Sequence, residues 1–163
     1  MSEPRRLRCY DYVDRPFAGV RELLRLRGPD LFRRATTSAA TRARDVGASL
    51  HARVGTFDVA VDVRMHVHAM VDEDSVAGLP PVTRITLSWE AAQAAAFFPV
   101  MKAELSMWPL TSNETELELE GAYQPPLGAV GSAVDTVIGH RIADATVHRF
   151  LADLVAQLRR ELL

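Results

Sequence analysis

An α+β fold, in which a curved antiparallel β-sheet wraps a long C-terminal helix, is predicted by three features of this 163-residue chain. Several segments between Phe57 and Leu119 alternate apolar and polar side chains, the period-two pattern of strands with one wet face. No long helical pattern separates them, so the strands pair as antiparallel neighbours. The segment from Ser132 to Leu163 lacks proline and places Ala143, Val147, Phe150, Leu151, Leu154 and Leu158 on one stripe of a helical wheel. That stripe must dock on the covered face of the sheet.

The elements follow in order. Leu7 to Val13 reads as a first strand, and Pro16 then suits the first turn of a helix. Phe17, Val20, Leu23, Leu24 and Leu26 recur at helical spacing. Gly28-Pro29 is expected to break that helix, with a second short helix capped by Asp30 and running to about Arg44. The second helix is rich in alanine and arginine, which predicts a surface position. Leu50, Ala52 and Val54 read as a short strand, turned at Gly55 into a longer one that carries Phe57, Val59, Val61, Val63, Met65 and Val67 on its dry side. Asp72 to Pro81 is a loop by composition. Further strands follow around Ile85, Leu87 and Trp89, from Phe97 through Met101 and Leu105 to Met107, and around Leu117 and Leu119. The expected order is one strand, two short helices, five or six strands and a final helix, forming a single domain over residues 1–163.

Composition excludes several functions. A net charge of −2 is a poor match to a general nucleic-acid surface. Cys9 is the single cysteine, so neither an internal disulfide nor a cysteine-based zinc site is available. No apolar run approaches the ~18 residues needed to span a bilayer, and residues 1–8 are basic without a following apolar stretch, so no stable membrane insertion and a cytoplasmic location are expected. The chain has no phosphate loop, dinucleotide fingerprint or nucleophile elbow. No cofactor and no metal are expected. His66 and His68 share a strand face, but Asp58, Asp62 and Arg64 mark that face as wet.

The order of elements, together with Trp89, Phe98-Pro99-Val100-Met101, the run Gly121-Ala122-Tyr123-Gln124-Pro125-Pro126-Leu127-Gly128, Gly131 and Asp135, resembles the START-like, helix-grip superfamily. Within it, the chain looks like the bacterial SRPBCC branch of polyketide cyclase/dehydrase and lipid-transport proteins. The prolines and glycines of the last run also have a structural reading, since they redirect the chain from the last strand into the final helix. The resemblance implies an apolar cavity for a lipid, sterol, hormone or polyketide-like molecule. It carries no catalytic motif onto particular residues of this chain.

A sheet that curls around one helix leaves space that the helix alone does not fill, above all where its side chains are small. The residues expected to line that space are Val63, Met65, Leu87, Trp89 and Met101, with Leu105, Leu119, His140 and Ala143. His140 falls within the apolar stripe of the final helix, where it is either a satisfied core histidine or an acid and base facing a ligand. Asp11 is in phase with Leu7, Cys9 and Val13 and either points inward as a protonated carboxyl or turns to water at a bulge. Tyr123, in phase with Leu117 and Leu119, packs or offers its phenol to the mouth of the pocket. Three functions stay open: binding a small hydrophobic or aromatic molecule, a cyclase- or dehydratase-type enzyme using His140 with Asp11 or Tyr123, and a protein-interaction module. The chain is expected to act as a monomer or homodimer.

Overall fold

The computed structural model describes residues 4–54, 63–91, 100–124 and 133–163. The described elements are β1 (Arg5–Val13), α1 (Phe17–Val54), β2 (Val63–Glu73), β3 (Val82–Ala91), β4 (Val100–Thr111), β5 (Glu114–Gln124) and α2 (Ala133–Glu161). The five strands form one antiparallel sheet in the order β1-β5-β4-β3-β2. Among the described residues this is the α+β arrangement that the alternating strands and the proline-free terminal segment predict.

Strand register sorts the covered face into rows of side chains that run across the sheet. The first row is Arg5, Tyr123, Met101, Trp89 and Met65, and the second is Leu7, Gly121, Ala103, Leu87 and Val67. A third holds Cys9, Leu119, Leu105, Ile85 and Met70, followed by Asp11, Leu117, Met107, Thr83 and Asp72. A bulge between Val67 and Ala69 shifts β2 by one residue, which brings Met70 instead of Ala69 onto the covered face. Small residues stand together at the middle of the second row, where a Cβ on Gly121 would meet the Ala103 Cβ at 3.2 Å. This pair leaves a notch in an otherwise bulky face.

The two helices lie side by side over these rows and run antiparallel. Gly19 of α1 approaches Leu162, the Gln157 side-chain amide donates to the Leu31 carbonyl at 3.2 Å, and Arg149 Nε donates to Ser38 Oγ at 2.9 Å. The C-terminal end of α2 is clamped to the β1–α1 junction. Arg15 donates to the carbonyls of Leu162 (2.7 Å) and Arg159 (3.1 Å), which satisfies acceptors that a helix end leaves free and places a cation at the negative end of its dipole. Arg159 returns the link by donating to Asp14 Oδ1 and to the Tyr12 carbonyl, both at 3.0 Å.

Three expectations need correction. Gly28-Pro29 does not end the first helix, because α1 runs through Pro29. Val20, Leu24, Gly28, Leu31, Phe32, Ala35 and Ala39 keep one buried stripe in phase on both sides of the proline, and packing outweighs the lost backbone hydrogen bond. The later half of α1 is therefore not a surface helix: Phe32 is buried and stacks on Phe150 with ring centroids 6.3 Å apart. Residues 50–54, expected as a strand, complete α1. The expected strand positions Phe57 to Asp62, Phe97 to Pro99 and the corner from Pro125 to Ser132 lie outside the described residues.

Cys9 is buried in the third row, and burial, reinforced by the negative charges of Asp144 and Asp11, pushes its thiol up to about 12. The unfolded thiol ionises near ~8.5, so the folded chain holds a proton that the unfolded chain releases. The stability this contributes is complete below that lower value and is lost as pH rises toward the folded one. Urea midpoints measured from pH 8 to pH 11 should fall more steeply for the parent than for Cys9→Ala. Parallel curves would contradict the assignment.

Candidate functional site

The site is built where the first row meets the N-terminal half of α2. Tyr123 is the last described side chain on the covered face of β5, and only 1% of it is exposed. Its hydroxyl shares a hydrogen bond of 3.0 Å with Nδ1 of His140, and the two rings stack with centroids 6.2 Å apart. When the imidazole carries its proton on Nε2, the phenol donates to Nδ1. Burial holds the phenol above the ordinary tyrosine value, while the neighbouring Arg5 guanidinium pulls it the other way and the more weakly acting Asp144 adds to the rise. The phenol is therefore a proton-bearing donor at neutral pH.

The rest of the first row is apolar. Met101 and Trp89 are buried, and Met65 packs against the core from the edge strand. Trp89 donates from Nε1 to the Thr36 hydroxyl at 3.1 Å, which satisfies a buried donor from α1. Its ring meets Phe150 edge-on at 5.0 Å.

Thr36, Ala39, Trp89, Met101, Leu119, Thr146, Val147 and Phe150 enclose a void of about 10 Å³, room for one water at most. Its sheet-side walls come from the first and third rows, so it lies over the notch at Ala103 and Gly121. The Met101 sulfur sits 3.3 Å from where a Gly121 Cβ would be and fills most of that notch. A roomier interior was expected here. Among the described residues the space is small because α1 also packs on the covered face, where Thr36 and Ala39 line it and Phe32 stacks on Phe150.

The remaining predicted positions divide clearly. Trp89, Met101 and Leu119 border the void, whereas Leu87, Leu105 and Ala143 are buried in the core around it. Val63 begins β2 opposite Ala91, in the strand that also carries Met65. His140 is exposed instead of facing the core, because it stands one turn before Ala143 at the margin of the sheet, covering the Tyr123 hydroxyl. Asp11 is half-buried and accepts a hydrogen bond from the Tyr12 amide at 2.8 Å. It pairs with Leu117, six residues from Tyr123 along β5, about 20 Å away at strand rise, so these two do not share a site.

His66 and His68 are exposed, and His68 Nε2 bonds Ser88 Oγ at 2.7 Å. No cluster of three metal-ligating side chains occurs among the described residues. None of the described helices is long and apolar enough to cross a membrane.

Sequence reasoning missed Thr36, Ala39 and Arg5. The first two were lost with the surface assignment of α1. Arg5 is in phase with Leu7 and Cys9 on β1, and that spacing was available in the sequence, but the residue reads first as part of a basic N-terminal cluster.

No family model matches the chain, and no curated protein does. Solved structures do. The Zhui aromatase/cyclase from Streptomyces sp. R1128 matches at 10% identity and a TM-score of 0.50, over 99% of this chain and 97% of that one. Norcoclaurine synthase from Thalictrum flavum, solved with dopamine and hydroxybenzaldehyde, matches at 9% identity and a TM-score of 0.43, over 98% of this chain and 88% of that one. At such identities the likeness is one of fold, and the chain has the helix-grip fold that its sequence resembles.

Proposed function

We propose that this chain binds a small hydrophobic or aromatic molecule between the covered face of the sheet and α2, at the end where Tyr123 and His140 meet. The observation that carries the reading is this hydrogen-bonded pair, at 3.0 Å, beside the buried apolar side chains of Met101 and Trp89. A binding site of this kind combines apolar walls with one or two placed polar groups that fix orientation. The void enclosed by the described residues is too small for a ligand as it stands, so a ligand that enters it displaces Met101 from the notch. An unbranched thioether with three rotatable bonds suits that role better than any branched side chain.

Native mass spectrometry of the purified protein, before and after organic extraction, tests the proposal. A retained apolar molecule that extraction removes is expected. A protein that carries nothing and takes up no apolar or aromatic probe would end the reading.

The Tyr123–His140 pair also favours a second reading, a cyclase- or dehydratase-type enzyme. A phenol that stays protonated, hydrogen-bonded to an imidazole nitrogen, places a proton donor and a proton acceptor together. In that case Tyr123→Phe and His140→Ala retain ligand and lose turnover. Variants that turn over candidate substrates as the parent does would remove the catalytic reading and leave binding in place.

A further inference from the structure

The first row is chemically graded from one edge of the sheet to the other. Arg5 is followed across the strands by Tyr123, Met101 and Trp89, so a permanent cation and a hydroxyl donor adjoin two apolar side chains. Arg5, in phase with Leu7 and Cys9, stands on the covered side of β1 and is exposed at its rim. Several other arginines are held by carboxylates, for example Arg8 by Glu118 at 2.6 Å and Arg84 by Glu104 at 2.9 Å. Among the described residues, no ion pair joins Arg5 to a carboxylate.

We infer that the bound molecule is amphipathic and carries a carboxylate, which Arg5 and Tyr123 take at the rim while its apolar body lies along the row toward Met101 and Trp89. This rests on the binding reading above. A guanidinium donates, and so does the phenol hydroxyl when His140 carries its proton on Nδ1 and donates to the phenol oxygen, so a carboxylate accepts from both without bringing a proton of its own. A neutral ester or amide would leave the guanidinium without its charge partner. The row from β1 to β3 crosses three strand spacings, about 14 Å. That span fits an acid with a chain of several carbons ending in a ring.

Isothermal titration with 6-phenylhexanoate and with the uncharged 6-phenylhexanamide reads the inference directly. The parent should bind the acid at least tenfold more tightly than the amide. Arg5→Gln, at an exposed position, should reduce the acid to the level of the amide and leave amide binding unchanged, and Tyr123→Phe should reduce the preference in part. Equal affinities for the two probes, or an acid preference that survives Arg5→Gln, would overturn the carboxylate assignment while the apolar-binding reading stands. Binding of neither probe would overturn both.

Discussion

Phe150→Ala is expected to lower stability by about 3–5 kcal/mol, the cost of emptying a buried aromatic position. At roughly 2–4 °C per kcal/mol for a chain of this size, the melting temperature should drop by on the order of 10 °C. The ring touches every layer of the interior: it stacks on Phe32 of α1, meets Trp89 of β3 edge-on and walls the small void over the sheet notch. Removing it joins its own volume to that void, and the neighbours cannot all move in. Phe32 and Trp89 belong to different elements, and the Trp89 indole is also tied to Thr36. The enlarged cavity is apolar and should stay dry. Saturating benzene should therefore recover part of the lost stability in the variant and leave the parent unchanged. Urea unfolding with and without benzene checks both parts. A loss below about 1 kcal/mol would show that the interior collapses freely around residue 150.

The strands were legible because burial on one face imposes a period of two, and their residues obey it without competing demands. Ile85, Leu87 and Trp89 of β3, and Leu117, Leu119 and Tyr123 of β5, are all buried as the alternation requires. On β2 the alternation read up to Val67 stops at a bulge that leaves no mark in the apolar pattern, and on this edge strand Val67 remains 39% exposed. The first helix was misread for a different reason. Local chemistry at Gly28-Pro29 speaks for a break, but the buried stripe continues across it from Leu24 to Leu31, and tertiary packing prevails.

The candidate site was legible in its residues and, as one of two alternatives, in the pairing of His140 with Tyr123. Tyr123 and His140 were each singled out, yet their meeting depends on where β5 ends beneath α2, which no local pattern encodes. Asp11 was singled out by the same phase argument that applies to Arg5. Strand register separates the two: Arg5 pairs with Tyr123, whereas Asp11 pairs with Leu117 at the other end of the strand. The small volume of the void among the described residues follows from a fact that the sequence disguised, namely that α1 packs Phe32 against Phe150.

Gly121→Val should destabilise the sheet by overpacking, lowering stability by about 1–3 kcal/mol. In an ordinary strand interior, replacing glycine with a β-branched residue is favourable, since it restricts the unfolded chain and adds a side chain to pack. Position 121 reverses the sign. A Cβ there would stand 3.2 Å from both the Ala103 Cβ and the Lys102 carbonyl oxygen, and 3.3 Å from the Met101 sulfur. Methionine can swing away, but the carbonyl is fixed by the β4–β5 ladder and Ala103 is as small as a side chain can be. The two valine methyls would also occupy the notch that any ligand must enter. Ala103→Gly in the same molecule removes one of the two rigid contacts, so Gly121→Ala combined with Ala103→Gly should be more stable than the sum of the two single changes predicts. Urea unfolding of the four-member cycle measures that coupling. Strict additivity would mean that strain at the small pair is not what selects glycine there.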